Sequence, residues 1–122
     1  MSEANPHQHH TIDYIELTVT DLAEAKRFYT EASAGQSNAD GPGSAGIRGH
    51  DGEVGGLRLD QEARPSGGGP LVLLYSTDLD QTVAAVRKAG GEVVNGPYDF
   101  PGGRRFHFTD PSGNELGAWA EA

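Results

Sequence analysis

The side chains in this sequence that can do chemistry fall on segments with the alternation of strands. Glu16 lies in IDYIELTV, residues 12–19, where a period of two sets Tyr14, Glu16 and Thr18 on one face and Ile15, Leu17 and Val19 on the other. A carboxylate there can bind a ligand cation, act as a general base where burial raises its pKa, or sit at a rim paired with an arginine such as Arg58. His107 alternates with Phe106 and Phe108 and so faces away from both; it is either a structural histidine or a proton-transfer group. Glu115, Gly117 and Trp119 share a face of the last strand, and Trp119 offers a flat surface for core packing or for stacking an aromatic or cationic ligand. Tyr75 shares its face with Leu71 and Leu73. Arg104 and Arg105, after the turn Pro101-Gly102-Gly103, can anchor an anionic group or form solvated salt bridges. His7, His9 and His10, in HQHH, have an incidental affinity for transition metals.

Composition narrows the chemistry. No GxSxG, Walker loop, HExxH or Ser-His-Asp cluster occurs, and Gly67-Gly68-Gly69 is not followed by the lysine and helix start that cradle phosphate. There is no cysteine, which excludes disulfides, thiolate metal sites and a cysteine nucleophile and fits a reducing cytoplasm. Nine Lys and Arg against eighteen Asp and Glu give a net charge of -9, which repels nucleic acid and anionic lipid and favours cationic small molecules. No apolar run reaches the ~20 residues that span a bilayer, and MSEANPHQHH lacks the apolar centre of a secretion signal, so the expectation is a cytoplasmic protein without membrane partners. With 122 residues, 18 of them glycine, and only 35% hydrophobic residues, the chain suits one domain of short strands and many turns.

Those strands are written twice. Thr20-Asp21-Leu22 follows the first strand and opens a helix with Leu22, Ala25, Phe28, Tyr29 and Ala32 at helical spacing. Thr77-Asp78-Leu79 follows LVLLYS, residues 71–76, and opens DQTVAAVRKAGG, stopped by Gly90 and Gly91. Short strands follow each helix, at 36–40, 44–48 and 54–60 and again at 92–96, 104–109 and 115–120, so each half reads βαβββ. HDGEVGGLR at 50–58 lies over PSGNELGAW at 111–119, with Gly56 matching Gly117. Asp110 can bond its own turn, and Gly113 permits positive φ. Residues 1–10 read as a loose arm, 11–66 as module one, Gly67-Gly68-Gly69-Pro70 as the linker and 70–122 as module two of a single 11–122 domain. The expected fold is α+β, two βαβββ modules whose concave faces form one cleft.

YIELTVTDLAEAKRFY at 14–29, LVLLYSTDLDQTVAAVRKAGGEVV at 71–94 and GPYDFPGGRRFHFTDPSGNELGAW at 96–119 resemble the vicinal-oxygen-chelate superfamily. It includes glyoxalase I, extradiol dioxygenases and the fosfomycin- and bleomycin-resistance proteins. In its enzymes one metal ion is held by a residue on each of four strands, usually His or Glu. The resemblance places those positions at Tyr14, Gly56 or its neighbour Gly55, Leu71 and Gly117. Leucine and glycine side chains have no lone pairs to give a divalent ion, so the expectation is no metal and no other cofactor. The stretch from Ser33 to Gly46 lacks the aromatic residues the family carries there and is expected to be either a mobile lip or a surface covered by a partner subunit.

A bowl without an ion points to a metal-independent protein that binds or sequesters a small molecule of cationic or aromatic character, in the manner of the bleomycin-resistance members. The expected ligand-binding residues are Tyr14, Glu16, Thr18, Arg58, Leu71, Leu73, Tyr75, Glu115 and Trp119. The competing expectation is a glyoxalase-like lyase, isomerase or dioxygenase with a divalent metal or with Glu16 or His107 as an acid-base group. The resemblance also implies a homodimer.

Overall fold

The computed structural model describes residues 9, 10, 12, 14–32, 36–41, 43–49, 52–62 and 69–121, with side chains described for all but 36–41, 48–49 and 52–53. Residues 1–8 of the expected arm, residues 33–35 and 42 of the expected lip, and Gly67 and Gly68 of the expected linker lie outside this set.

Two βαβββ modules follow one another. The first is β1 (Ile15–Val19), α1 (Leu22–Ala32), β2 (Gln36–Gly41), β3 (Ser44–Gly49) and β4 (Gly52–Leu59). The second is β5 (Val72–Tyr75), α2 (Leu79–Lys88), β6 (Glu92–Phe100), β7 (Gly103–Thr109) and β8 (Glu115–Glu121). Each forms a four-stranded sheet, ordered β1-β4-β3-β2 and β5-β8-β7-β6, in which the strand before the helix pairs in parallel with the last strand. This is the expected α+β fold. Much of the expected lip is laddered: β2 and β3 pair with each other and β3 with β4, so backbone hydrogen bonding outweighs the low β-propensity of the stretch.

The repeated TDL marks two helix starts capped alike. Asp21 Oδ1 accepts from the Glu24 amide at 3.0 Å, and Asp78 Oδ1 from the Gln81 amide at 3.2 Å, each satisfying a first-turn N–H that has no partner within the helix. Both helices turn an apolar stripe inward, Ala25, Phe28, Tyr29 and Ala32 in α1 and Leu79, Val83 and Val86 in α2.

One core spans both modules. Phe28 of α1 meets Phe108 of β7 with ring centroids 6.1 Å apart, and Phe106 and Phe108 are 5.7 Å apart. Burial of such side chains contributes about 1.5–3 kcal/mol each. A polar seam joins the modules beside that core. Asp110, 4% exposed, accepts from the Ser112 and Asn114 amides at 2.9 and 2.8 Å, from Asn114 Nδ2 at 3.1 Å and from the Tyr29 hydroxyl at 2.7 Å. Asn114 Nδ2 also donates to the Thr18 carbonyl at 2.8 Å, and the Thr20 amide to Ser112 Oγ at 3.0 Å. Burial first, and the Asp110 carboxylate second, push the Tyr29 phenol far above its ordinary range. Helices and core thus occupy one side of each sheet, and the chemistry-bearing side chains stand on the other.

Candidate functional site

In module one that open face carries Tyr14, Glu16, Thr18 and Arg58. Arg58 Nε donates to Glu16 Oε1 at 3.0 Å, with both side chains about half exposed, so of the roles open to Glu16 the structure shows the rim ion pair. The Tyr14 hydroxyl lies over Gly56, where any added Cβ would collide with it.

Module two is built differently on the same plan. Phe106 and Phe108 point into the core, so alternation along β7 puts Arg105 and His107 on the open face. Leu116, Ala118 and Ala120 do the same for β8, leaving Glu115, Gly117, Trp119 and Glu121 outward. Leu73 and Tyr75 come from β5, and Leu71 immediately precedes that strand. Leu73 lies against Gly117: a Cβ there would meet Leu73 Cδ2 at 2.6 Å and the Phe106 carbonyl at 3.0 Å.

The remaining side chains come from the far half of β6. Two irregularities in its pairing with β7, between Val93 and Asn95 and between Asn95 and Tyr98, re-aim the strand so that Tyr98 stands opposite Arg105. Gly96, with φ +88°, has the backbone conformation that favours glycine at that bend.

A hydrogen-bonded chain results. Arg105 Nε donates to Tyr98 Oη at 2.6 Å, Tyr98 Oη lies 2.8 Å from His107 Nε2, and His107 Nδ1 lies 3.0 Å from Glu115 Oε2. The chain closes when neutral His107 carries its proton on Nδ1, donating to Glu115 and accepting from Tyr98. Beside it is an aromatic group. Trp119 has Tyr75 at 5.1 Å and 69° and Phe100 at 6.2 Å and 79°, both edge-on, and the Arg105 guanidinium carbon lies 5.1 Å from the Phe100 centroid and 5.4 Å from that of Tyr98. Tyr75, 55% exposed, donates to Glu121 Oε1 at 2.9 Å, and that hydrogen bond is the main cause raising its phenol pKa.

The expected residues therefore gather in two groups, Tyr14, Glu16, Thr18 and Arg58 in module one, and Leu73, Tyr75, Glu115, Trp119 and the acid-base candidate His107 in module two, with Leu71 just before β5. Tyr98 and Phe100 are missing from the expectation because it ends the strand at residue 96. The available signal was the alternation of Tyr98 and Phe100 just beyond it. The two arginines also divide: Arg104 approaches Asp80 and Asp99 at 3.9 Å each, away from the site, whereas Arg105 is part of it.

A family model described as the Glyoxalase/Bleomycin resistance protein/Dioxygenase superfamily matches residues 11–117. The chain belongs to this superfamily. TnmS3, an antibiotic binding protein from Streptomyces sp. CB03234, is 28% identical, with a TM-score of 0.68 over 95% of this chain and 100% of its own. The anthracycline biosynthesis protein DauV of Streptomyces sp. strain C5 is 34% identical over 111 residues, 84% of this chain and 38% of DauV. CFP32 of Mycobacterium bovis is 29% identical over 127 residues, 98% of this chain and 49% of CFP32. The chain thus spans half or less of the length of these curated relatives.

The resemblance would place the superfamily's divalent metal at Tyr14, Gly56 or Gly55, Leu71 and Gly117. The side chains present do not fit it: one phenol is the whole donor set, and Tyr14 and Leu73 cover the two glycines. Among the described residues no group of three or more His, Cys, Asp or Glu is placed to hold a metal ion.

Proposed function

We infer that this protein binds a planar aromatic small molecule on the open face of module two, without a metal, and holds rather than transforms it. The observation that carries this reading is the bracket of Tyr75, Trp119 and Phe100. A core built on the opposite side of the sheet does not need these rings, and their flat surfaces suit stacking of an aromatic ligand. The hydrogen-bonded chain beside them gives such a ligand polar groups to orient against. The antibiotic-binding TnmS3, on the same fold, supports the same class of function here.

The test is a thermal-shift screen of metal-stripped protein with planar aromatic antibiotics, catechols and α-keto thioesters, with and without divalent ions. A ligand at a hundred times its Kd stabilises by about 2.7 kcal/mol. Aromatic compounds are expected to raise Tm equally in both conditions; a shift that needs the ion overturns the reading.

A second reading, acid-base catalysis, is favoured by the Glu115–His107–Tyr98 chain, which can move a proton to or from Tyr98. NMR of ligand recovered after incubation separates the two: unchanged spectra support binding, and a rearranged product supports catalysis. The proposal extends to a cytoplasmic homodimer. The lack of cysteine is consistent with that compartment, and exposed Ile15, Val54 and Leu73 around an apolar cavity of about 250 Å³ between β1, β4 and β5 suit cover by a second copy. Light scattering after size exclusion tests the assembly.

A further inference from the structure

We propose that Arg105 makes the site selective for aromatic ligands that carry an anionic oxygen, such as a phenolate, an enolate or a carboxylate. This rests on the binding reading above and names its ligand class. Arg27, Arg58 and Arg104 each lie within 4 Å of a carboxylate, at 3.7, 3.0 and 3.9 Å. Among the described residues Arg105, like Arg87 of α2, has no such partner, although the chain holds eighteen Asp and Glu against nine Lys and Arg. Its Nε is used on the Tyr98 hydroxyl, and its terminal nitrogens have no hydrogen-bond partner among the described residues.

A guanidinium has five N–H donors in a rigid planar fork, so four remain here for a ligand. The fork is held in place by its contacts with the Tyr98 and Phe100 rings, and little side-chain freedom is left to lose on binding. The carboxylates on the same face are already engaged, Glu115 with His107 and Glu121 with Tyr75. His107 has both ring nitrogens occupied. The cationic donors left open beside the aromatic bracket are therefore those of Arg105, and they suit an oxygen anion on the edge of a stacked ring. The local preference thus opposes the overall charge of -9, which slows the approach of an anion without removing its partner.

The probes are anilinonaphthalene sulfonate and N-phenylnaphthylamine, which differ by the sulfonate alone. Quenching of Trp119, the chain's single tryptophan, reads out the affinity of each probe, and the paired Arg105 and Arg104 variants assign it to this face. The sulfonate is expected to bind at least about tenfold more tightly, the scale of one charge-assisted hydrogen-bonded contact. Arg105→Met should bring the ratio to about one. Arg104→Met, which removes the same charge outside the site, should leave it standing. Equal binding of the two probes to the native protein, or a ratio unmoved by Arg105→Met, overturns this proposal and leaves the binding reading intact. Failure of both probes to quench Trp119 overturns both. The native ratio is decisive by itself if Arg105→Met does not fold.

Discussion

The two modules follow the same backbone path and present different surfaces on it. In the parallel pairs Glu16 stands opposite Gly56 and Leu73 opposite Gly117, and the next outward pairs are Thr18–Arg58 and Tyr75–Trp119. Each sheet has a glycine at the same point, and in each a neighbouring side chain takes the space, the Tyr14 ring in module one and Leu73 in module two. Beyond the glycine they part. Module one has a half-exposed ion pair, which water and salt screen to about 0–1 kcal/mol. Module two has three aromatic rings and a hydrogen-bonded chain that the core does not require. Duplication thus keeps the frame, set by caps and inward apolar residues, and leaves the outward positions free to differ in chemistry.

The largest effect is expected where the modules are joined. Asp110→Ala leaves the Ser112 and Asn114 amides and the Tyr29 hydroxyl without their acceptor in a buried turn, at about 3 kcal/mol or more. A urea midpoint lowered by that free energy divided by m, at unchanged m, checks it. Loss of only a few tenths would mean that the apolar core alone holds the modules together.

Binding should separate the two faces next. Trp119→Ala is expected to weaken both naphthalene probes about thirtyfold, or about 2 kcal/mol, by removing the stacking surface, as read from the fluorescence of the probes themselves. Arg58→Ala, its counterpart in module one, should change either affinity less than about twofold. Comparable losses would move the site to a cleft that uses both faces alike.

The legible part of the fold is the part fixed by local chemistry. Thr20-Asp21-Leu22 and Thr77-Asp78-Leu79 announced both helix starts because an aspartate cap acts within one turn. The Asp110 turn was legible for the same reason, and its Gly113 has φ +91°. The inward or outward sense of His107, Trp119 and Tyr75 followed from the alternation along their strands. The partner of Asp110 across the modules was not legible, since Tyr29 lies 81 residues away and read only as part of an apolar stripe. Tyr98 and Phe100 were legible only as an alternation beyond residue 96; that the strand reaches them past two irregularities depends on its neighbour β7. Arg104 and Arg105 read together as anion anchors or salt-bridge formers; alternation along the strand sets them on opposite faces, and the structure shows which role each face allows.

Alkaline pH probes the joint more finely. An ordinary phenol in the unfolded chain ionises near the value 10.0, whereas folded Tyr29 keeps its proton well above that. The stability this represents is complete below pH 10 and falls as pH rises further, because the unfolded state then releases a proton that the folded state retains. Tyr29→Phe has no such proton. The stability advantage of the native protein over this variant should therefore shrink by about 1.4 kcal/mol for each pH unit above 10, with the other tyrosines cancelling between the two proteins. Urea titrations at stepped alkaline pH measure it, and a constant gap would show that the phenol ionises in place.

The smallest expected effect belongs to the ion pair that distinguishes module one. Glu16→Gln keeps the shape of the side chain and removes its charge, so the change isolates the attraction to Arg58. With both partners half exposed, a loss of about 0.5 kcal/mol or less is expected at low salt, vanishing as ionic strength rises. The naphthalene probes should bind this variant as they bind the native protein. If instead Glu16→Gln alters the probe affinities severalfold, the carboxylate lies within reach of the ligand. The faces of the two modules would then act as one surface, and module one could no longer be read as frame alone.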